Sequence, residues 1–381
     1  MTGRGRALLI IALSTLYTGL SLGGRMFYLA AVFALLALLC SLAAVLAVRF
    51  SLTVSCQVSP DRVPRGEKAL LRIIIRNKTP LPISATRITA ILGDLRETHE
   101  IALQKGQGKL EIQLPARHIG EMQAGAAQIE YTDILGLFRM RIRKADALQT
   151  LLVLPRSFDV EPLRFRQGDE GRPTPNRAVE DLSSPEDTRA YRAGDPLKRV
   201  HWKLTARKRE LVVRKFETPA PPDTLILLDC SVPPSADTAL SPEDLRDTLC
   251  ETALSVAEMQ SRGETPVRAP LYGTQMFEYL SDRKGNTAAL AEMLARQSFT
   301  GGVDFSRVLN LELRRMRRTG ATVIITARLS ADTVEAVKHI RRMGPTVRLY
   351  YVTHVPDAPE DRPYIAQLQQ SLVEVCYVTP A

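Results

Sequence analysis

Asp229-Cys230-Ser231 places a carboxylate and a hydroxyl two residues apart, at the end of the apolar run Thr224-Leu-Ile-Leu-Leu. Hard oxygen ligands of that kind suit a divalent cation such as Mg²⁺. Asp195 and His201, in the basic stretch described below, are the only nearby acid–base pair of interest. Cys40, Cys56, Cys230, Cys250 and Cys376 are scattered without a C-x-x-C spacing, and no H-E-x-x-H occurs, which argues against a disulfide framework and a zinc site. Neither a nucleophile–base pairing nor a phosphate-binding loop is legible, so the reading favours a protein that is not an enzyme.

A different chemistry resides in charge. Arg189 to Glu217 holds ten Lys/Arg against three acids, so this stretch carries +7 of the net +10. It also contains the chain's only tryptophan, Trp202, between His201 and Lys203. Three readings are open for it. It is a solvated basic surface around a Trp packed in a domain seam, a partner surface, since Trp, Tyr and Arg favour binding hot spots, or an attractor of polyanions. No recognition motif supports nucleic acid, and anionic lipid is the better polyanion.

These residues act only where elements hold them. From Thr224 the pattern alternates buried runs with helical periods. Strands are expected over 224–229, 267–272, 276–280, 321–326 and 346–353, and helices over about 242–262, 287–297, 305–318 and 331–342. Residues 218–381 are thus an α/β, Rossmann-type domain with a mostly parallel sheet covered on both faces. Ligands in such sheets gather at the carboxyl ends of strands, where Asp229 lies. Ahead of it, 189–217 is the basic segment, with a short helical turn at Val200 to Ala206 and a strand at Leu211 to Phe216. Residues 158–188, rich in Gly, Pro, Ser and acids, read as a linker.

Residues 51–157 follow a period of two, with turn material between short runs such as Ser51 to Val58, Ala69 to Ile75 and Lys109 to Leu114. About seven strands of this kind predict an all-β, immunoglobulin-like sandwich. Residues 1–50 carry two apolar runs, about 7–22 and 26–48, around Gly23-Gly24-Arg25. The second is long enough to rise roughly 34 Å and cross a bilayer. Arg4 and Arg6 also give the first run a signal-peptide-like start, but a transmembrane hairpin accounts for both runs and the turn. With Arg4, Arg6 and Arg49 on one side and Arg25 on the other, the basic flanks put everything after residue 50 in the cytoplasm. The expected location is the cell membrane, multi-pass.

The Asp-x-Ser strand end and the order of elements resemble a von Willebrand factor A domain. The pattern Arg192-x-Gly-Asp195 … Trp202-Lys203 … Ala206-Arg207 … Leu211-x-Val-Arg214 resembles the family called domain of unknown function 58. Tyr131-Thr-Asp-Ile-Leu-Gly-Leu-Phe138 and the layout of two apolar helices, β-domain, basic motif and A-type domain fit that family too. The resemblance implies a membrane-bound scaffold or adaptor for a cytoplasmic MoxR-type AAA+ ATPase, in complex assembly or envelope maintenance. Arg192, Asp195, Arg199, Trp202, Lys203, Arg207 and Arg214 would form the partner surface. The rivals are an envelope-associated enzyme of unknown reaction and a sensor of anionic lipid. An A-domain cation site expects Asp-x-Ser-x-Ser, a Gly-Gly-Thr loop and a strand-end Asp. This chain keeps Asp229 and Ser231 but has Pro233, Val303 after Gly301-Gly302, and Ala327 after Thr326. The expectation is therefore no cofactor, or at most a weakly held Mg²⁺, with Asp304 as the nearest substitute ligand.

Overall fold

A computed structural model describes residues 1–380 apart from 82, 84–85, 104–105, 144–146, 164–186, 192–199, 216–222, 235–240, 274–275, 282–285, 301–302 and 317–318. The chain forms two compact units, Met1–Leu154 and Pro155–Ala381.

The first unit opens with two apolar helices, α1 (Gly3–Leu22) and α2 (Arg25–Ser51). Thr2 caps α1 by accepting the Gly5 N–H at 3.2 Å, and Gly23, at φ 65°, closes it in the left-handed conformation that glycine adopts without cost. The buried positions of the pair include Ala12 and Gly19 on α1 and Ala31 and Leu38 on α2. Each couple is seven residues apart, the spacing that keeps one face of a helix against its neighbour. A Cβ at Gly19 would lie 3.3 Å from that of Phe27, so the small residue sets how closely the helices approach. The outward surface is apolar, with Ile10, Ile11, Leu20, Leu29, Phe33 and Leu39 all exposed.

α2 runs without a linker into β1 (Leu52–Ser59), followed by β2 (Arg62–Pro64), β3 (Lys68–Asn77), β4 (Thr86–Leu92), β5 (Leu95–Ile101), β6 (Gln107–Pro115), β7 (Gly120–Thr132), β8 (Arg139–Arg143) and β9 (Leu148–Leu154). One sheet has the order β1-β3-β6; the other runs β2-β9-β7-β4-β5, with β8 on β7. All pairings are antiparallel except β2 with β9. Alternate residues such as Leu71, Ile73 and Ile75 of one sheet and Ile88, Ile129 and Leu151 of the other meet in one core. Val45 and Val48 of α2 belong to that same core. The Tyr131 hydroxyl donates to the Val45 carbonyl at 3.0 Å inside it. The last turn of the apolar run 26–48 is thus claimed by protein, not left for lipid.

In the second unit Phe158 to Leu163, read from composition as free linker, is fastened down. The Phe158 N–H donates to Ser255 Oγ at 2.9 Å, the Glu161 carbonyl accepts from Arg348 at 2.7 Å, and Leu163 is buried. A small antiparallel pair follows: β10 (Asp187–Ala190), then α3 (Trp202–Lys208), then β11 (Val212–Lys215). The strand begins two residues inside the segment expected to be linker. The rest of that linker lies outside the described residues.

The remaining elements are β12 (Asp223–Leu228), α4 (Pro242–Arg262), β13 (Val267–Tyr272), β14 (Met276–Ser281), α5 (Thr287–Arg296), α6 (Phe305–Leu313), β15 (Thr319–Thr326), α7 (Ala331–Arg342), β16 (Thr346–Val352), α8 (Arg362–Gln370) and β17 (Glu374–Val378). The sheet order is β14-β13-β12-β15-β16-β17, parallel throughout except for the edge strand β14. Leu225 and Leu227 point into a core shared with α6, α7 and α8, and α4 packs on β12, β13, β15 and β16. The chain reverses direction across the sheet between β12 and β15. That reversal opens the crevice where ligands of such sheets bind.

Candidate functional site

Asp229 follows β12 at that crevice and is almost fully buried. Its Oδ1 accepts the Ser231 N–H at 3.0 Å, and its Oδ2 accepts the Thr326 hydroxyl at 2.7 Å from the end of β15. The parallel register sets Leu228 opposite Ile325, so the next residues, Asp229 and Thr326, are brought side by side. Thr326 Oγ1 in turn accepts the Arg328 N–H at 3.1 Å, and the Arg328 guanidinium donates to the Val232 carbonyl at 3.1 Å. The loops after β12 and β15 are therefore laced together through one carboxylate and one hydroxyl.

This arrangement bears directly on the cation. Pro233, Val303 and Ala327 offer no side-chain oxygen, and Gly301 and Gly302 lie outside the described residues. Asp304 turns its Oδ2 to the Ser306 hydroxyl at 2.7 Å, at the start of α6. What remains for a metal is the free lone pairs of Asp229 and the Ser231 hydroxyl, two oxygens that suit a weakly held Mg²⁺ completed by water. Their first task is internal. Thr326→Val keeps the shape and removes one donor from a buried carboxylate, so it is expected to destabilise the chain by about 2 kcal/mol, measured by denaturation of the full chain in detergent.

Sequence reading did not assign Thr326 a role, because its partner lies 97 residues away and is found only through the strand register. Gln297 was missed as well. Its side-chain oxygen and nitrogen are both buried without a hydrogen-bond partner among the described residues, beside Gly273 just after β13. A Cβ at Gly273 would fall 1.6 Å from that amide nitrogen and 2.8 Å from the Ser298 carbonyl oxygen, so a side chain there would displace Gln297 and press on backbone.

Cys230, next to Asp229, is buried. Burial, reinforced by the Asp229 charge, pushes its thiol up to about 12, and burial also raises Cys250. Both stay protonated and inert at neutral pH. Burial likewise pushes Tyr272 up to about 12, aided by its hydrogen bond to Glu312. These groups are held neutral in the fold but ionise freely once unfolded. Their stabilisation is therefore complete below the ordinary thiol value of about 9 and is lost as pH rises toward about 12. Melting temperatures of the full chain are expected to hold level to about pH 9 and to fall from there.

The basic segment is a separate surface. Val200, Val212 and Val213 are buried beneath it, and the His201 N–H donates to the Val212 carbonyl at 2.8 Å. His201 Nδ1 accepts the Leu204 N–H at 3.2 Å, capping α3. That use commits the ring to holding a helix end, and Asp195 lies outside the described residues. Thr205 Oγ1 accepts the Val212 N–H at 3.1 Å, tying α3 to β11. On this mount Trp202 is 63% exposed, and Lys203 and Arg207, four residues apart, are exposed with it. Within its own unit the helix turns the indole outward. Of the other expected partner residues, Arg192 and Arg199 lie outside the described residues. Arg214 is placed in β11 by its backbone alone.

Residues 187–351 match the family described as "Protein of unknown function DUF58". The match begins with β10 and ends in β16, so it takes in α3 and Asp229 and covers under half of the chain. No curated protein matches the sequence. Among solved structures, the CARDB domain of the PF1109 protein from Pyrococcus furiosus, in complex with di-metal ions, is 15% identical over 27% of this chain and 89% of its own, with a TM-score of 0.21. The alkylpurine DNA glycosylase AlkC of Pseudomonas fluorescens, bound to DNA containing an abasic site analog, is 12% identical over 36% of this chain and 45% of its own, with a TM-score of 0.17. Cwp6 from Clostridium difficile is 10% identical over 86% of this chain and 53% of its own, with a TM-score of 0.20. This chain spans about half of the last two, and superpositions this loose carry no argument about fold or function.

Proposed function

We propose that this chain is a non-enzymatic, membrane-anchored adaptor whose α3 surface engages a cytoplasmic AAA+ ATPase of the MoxR type. The observation that carries the reading is the exposed Trp202 on α3, a helix that also exposes Lys203 and Arg207 and is mounted on a buried valine base. A large indole left in water on a helix that exposes two cations has the composition of a binding hot spot. It lies inside the DUF58 match, in a segment that resembles that family's own motif. The A-type α/β unit presents this surface.

The anchor rests on α1 and α2, two helices long and apolar enough to cross a bilayer. Their outward surface would be costly in water and is at home in hydrocarbon. Subtracting the turn buried in the β-domain leaves Met26 to Ala44, a rise of about 28 Å, which still spans the apolar thickness. Arg4, Arg6 and Arg49 at one end favour the cytoplasmic side for both soluble units.

Pull-down of a MoxR-type ATPase by the full chain in detergent, with and without nucleotide, tests the reading. The double variant Trp202→Ala, Arg207→Ala should weaken capture by about tenfold or more. Failure to recover the ATPase in either nucleotide state, or capture indifferent to the double variant, would reject it. A reporter fused after Ala381 and found outside the cell would leave the anchor standing and remove this partner.

A further inference from the structure

The turn between β7 and β8 carries two large aliphatic side chains that the fold leaves bare. Ile134 is 67% exposed and Leu135 54%, although polar residues would cost nothing at such a tip. The turn is rigid. Asp133 accepts the Phe138 N–H on Oδ1 at 2.7 Å and the Leu135 N–H on Oδ2 at 3.2 Å. Gly136, at φ 68°, completes the bend. Phe138 packs against the β-domain core and Leu137 is buried, whereas Ile134 and Leu135 at the tip are left exposed.

Its position explains the apolar tip. The Thr2 N–H and hydroxyl both bond to the Leu137 carbonyl, and the hydroxyl also lies within bonding reach of the Gly136 carbonyl. A Cβ at Gly5 would lie 2.3 Å from the Leu137 carbonyl oxygen, so the first turn of α1 rests directly on this bend. The apolar run of α1 starts at Ala7, two residues on, which is a rise of about 3 Å. The exit of α2 lies at the same end: Arg49 reaches Met140 at the start of β8, and Phe50 beside it is 85% exposed. Arg4, Arg6 and Arg49 share this level, where headgroup phosphates would sit if the helices cross a bilayer.

We propose that Ile134 and Leu135 form a lipid-dipping finger that enters the headgroup–acyl boundary beside the helix pair and fixes the β-domain's angle to the membrane. The proposal rests on the reading of α1 and α2 as spanning helices, and it commits to lipid as the occupant. Continuity with the apolar helices and the ring of arginines favour that choice. Aliphatic tips and basic flanks together are the composition of an interfacial anchor.

The test uses the full chain in nanodiscs of phosphatidylcholine and phosphatidylglycerol with brominated acyl chains, which quench tryptophan on contact. In a Trp202→Phe background, Leu135→Trp should emit to the blue and lose most of its emission to bromines placed near the headgroup. Ile134→Trp gives the same reading from the neighbouring side chain. Phe33→Trp, on the outward face of α2, reports the spanning helix itself. Quenching at positions 33 and 135 supports the finger. Quenching at 33 with water-like, unquenched emission at both 134 and 135 overturns it and leaves the anchor intact. Blue-shifted but unquenched emission at the tip also overturns it, since a protein then covers the turn. No quenching at any position sinks the spanning reading and the finger together.

Discussion

Glu312→Ala is expected to cost the chain about 3–5 kcal/mol, the range for breaking a buried ion pair by removing one partner. Glu312 sits on α6 with its side chain wholly withdrawn from water. It forms ion pairs with the Arg268 guanidinium of β13 at 2.8 Å and with Arg315, two residues past the end of α6, at 3.3 Å. The Tyr272 hydroxyl donates to it as well. One carboxylate thus joins a sheet strand to the helix that covers it. Arg268 keeps weaker partners in Glu278 at 3.4 Å and Asp223 at 3.9 Å, which places the loss nearer the lower bound.

The Tyr272→Phe variant should lose about 1 kcal/mol by comparison, since it removes a single neutral donor. Combining the two should cost less than their sum, because both delete the same hydrogen bond. Denaturant unfolding of the full chain in detergent, for all four members of the cycle, checks this. Strict additivity would show that Tyr272 and Glu312 do not act as a unit.

Neither member of this network was legible in the sequence. Glu312 stands in a helical run with charged neighbours, where a solvated acid is the natural reading, and its partners Arg268 and Tyr272 lie about 40 residues away on β13. What periodicity does encode was read well. The ends of α4, α7 and β13 coincide with those expected, because Ser241, Ser330 and the aliphatic runs mark them locally. α8 and β17 went unpredicted for the opposite reason. Only Ile365 and Leu368 of α8 are buried, and β17 is a half-exposed edge strand, so neither repeats a strong apolar signal. α6 ends at Leu313 rather than near Arg318, since the basic run that follows supplies helical composition without a buried face.

The candidate site divides along the same line. The Asp229–Ser231 pair was visible as a local triplet, but the hydroxyl that occupies Asp229 belongs to Thr326 on another strand. Trp202 was visible as an isolated indole in a basic stretch. That α3 mounts it outward from its own unit depends on His201 capping the helix and on the valines beneath, which composition does not disclose.

Gly125→Val is expected to be of similar weight to Glu312→Ala, at about 4 kcal/mol from overpacking and backbone strain combined. Gly125 lies within β7 at φ 157°, opposite Leu148 of β9. A Cβ there would stand 2.4 Å from the Ala147 carbonyl oxygen and 3.0 Å from the Leu148 Cα. Both obstacles are backbone, so no rotamer change relieves them. The position also sits beside a bulge, where the pairing steps from Thr89 with Gln128 to Ala90 with Ala126 and the strand must bend. Gly66→Ala supplies the control. Its φ of 87° disfavours a side chain equally, but an added Cβ meets nothing within 4 Å, so only the conformational cost of about 1 kcal/mol should appear. Thermal unfolding of both variants separates the terms. If Gly125→Val lost no more than Gly66→Ala, β9 would have to yield at Ala147, and the close approach of these two strands would not be what holds the β-domain together.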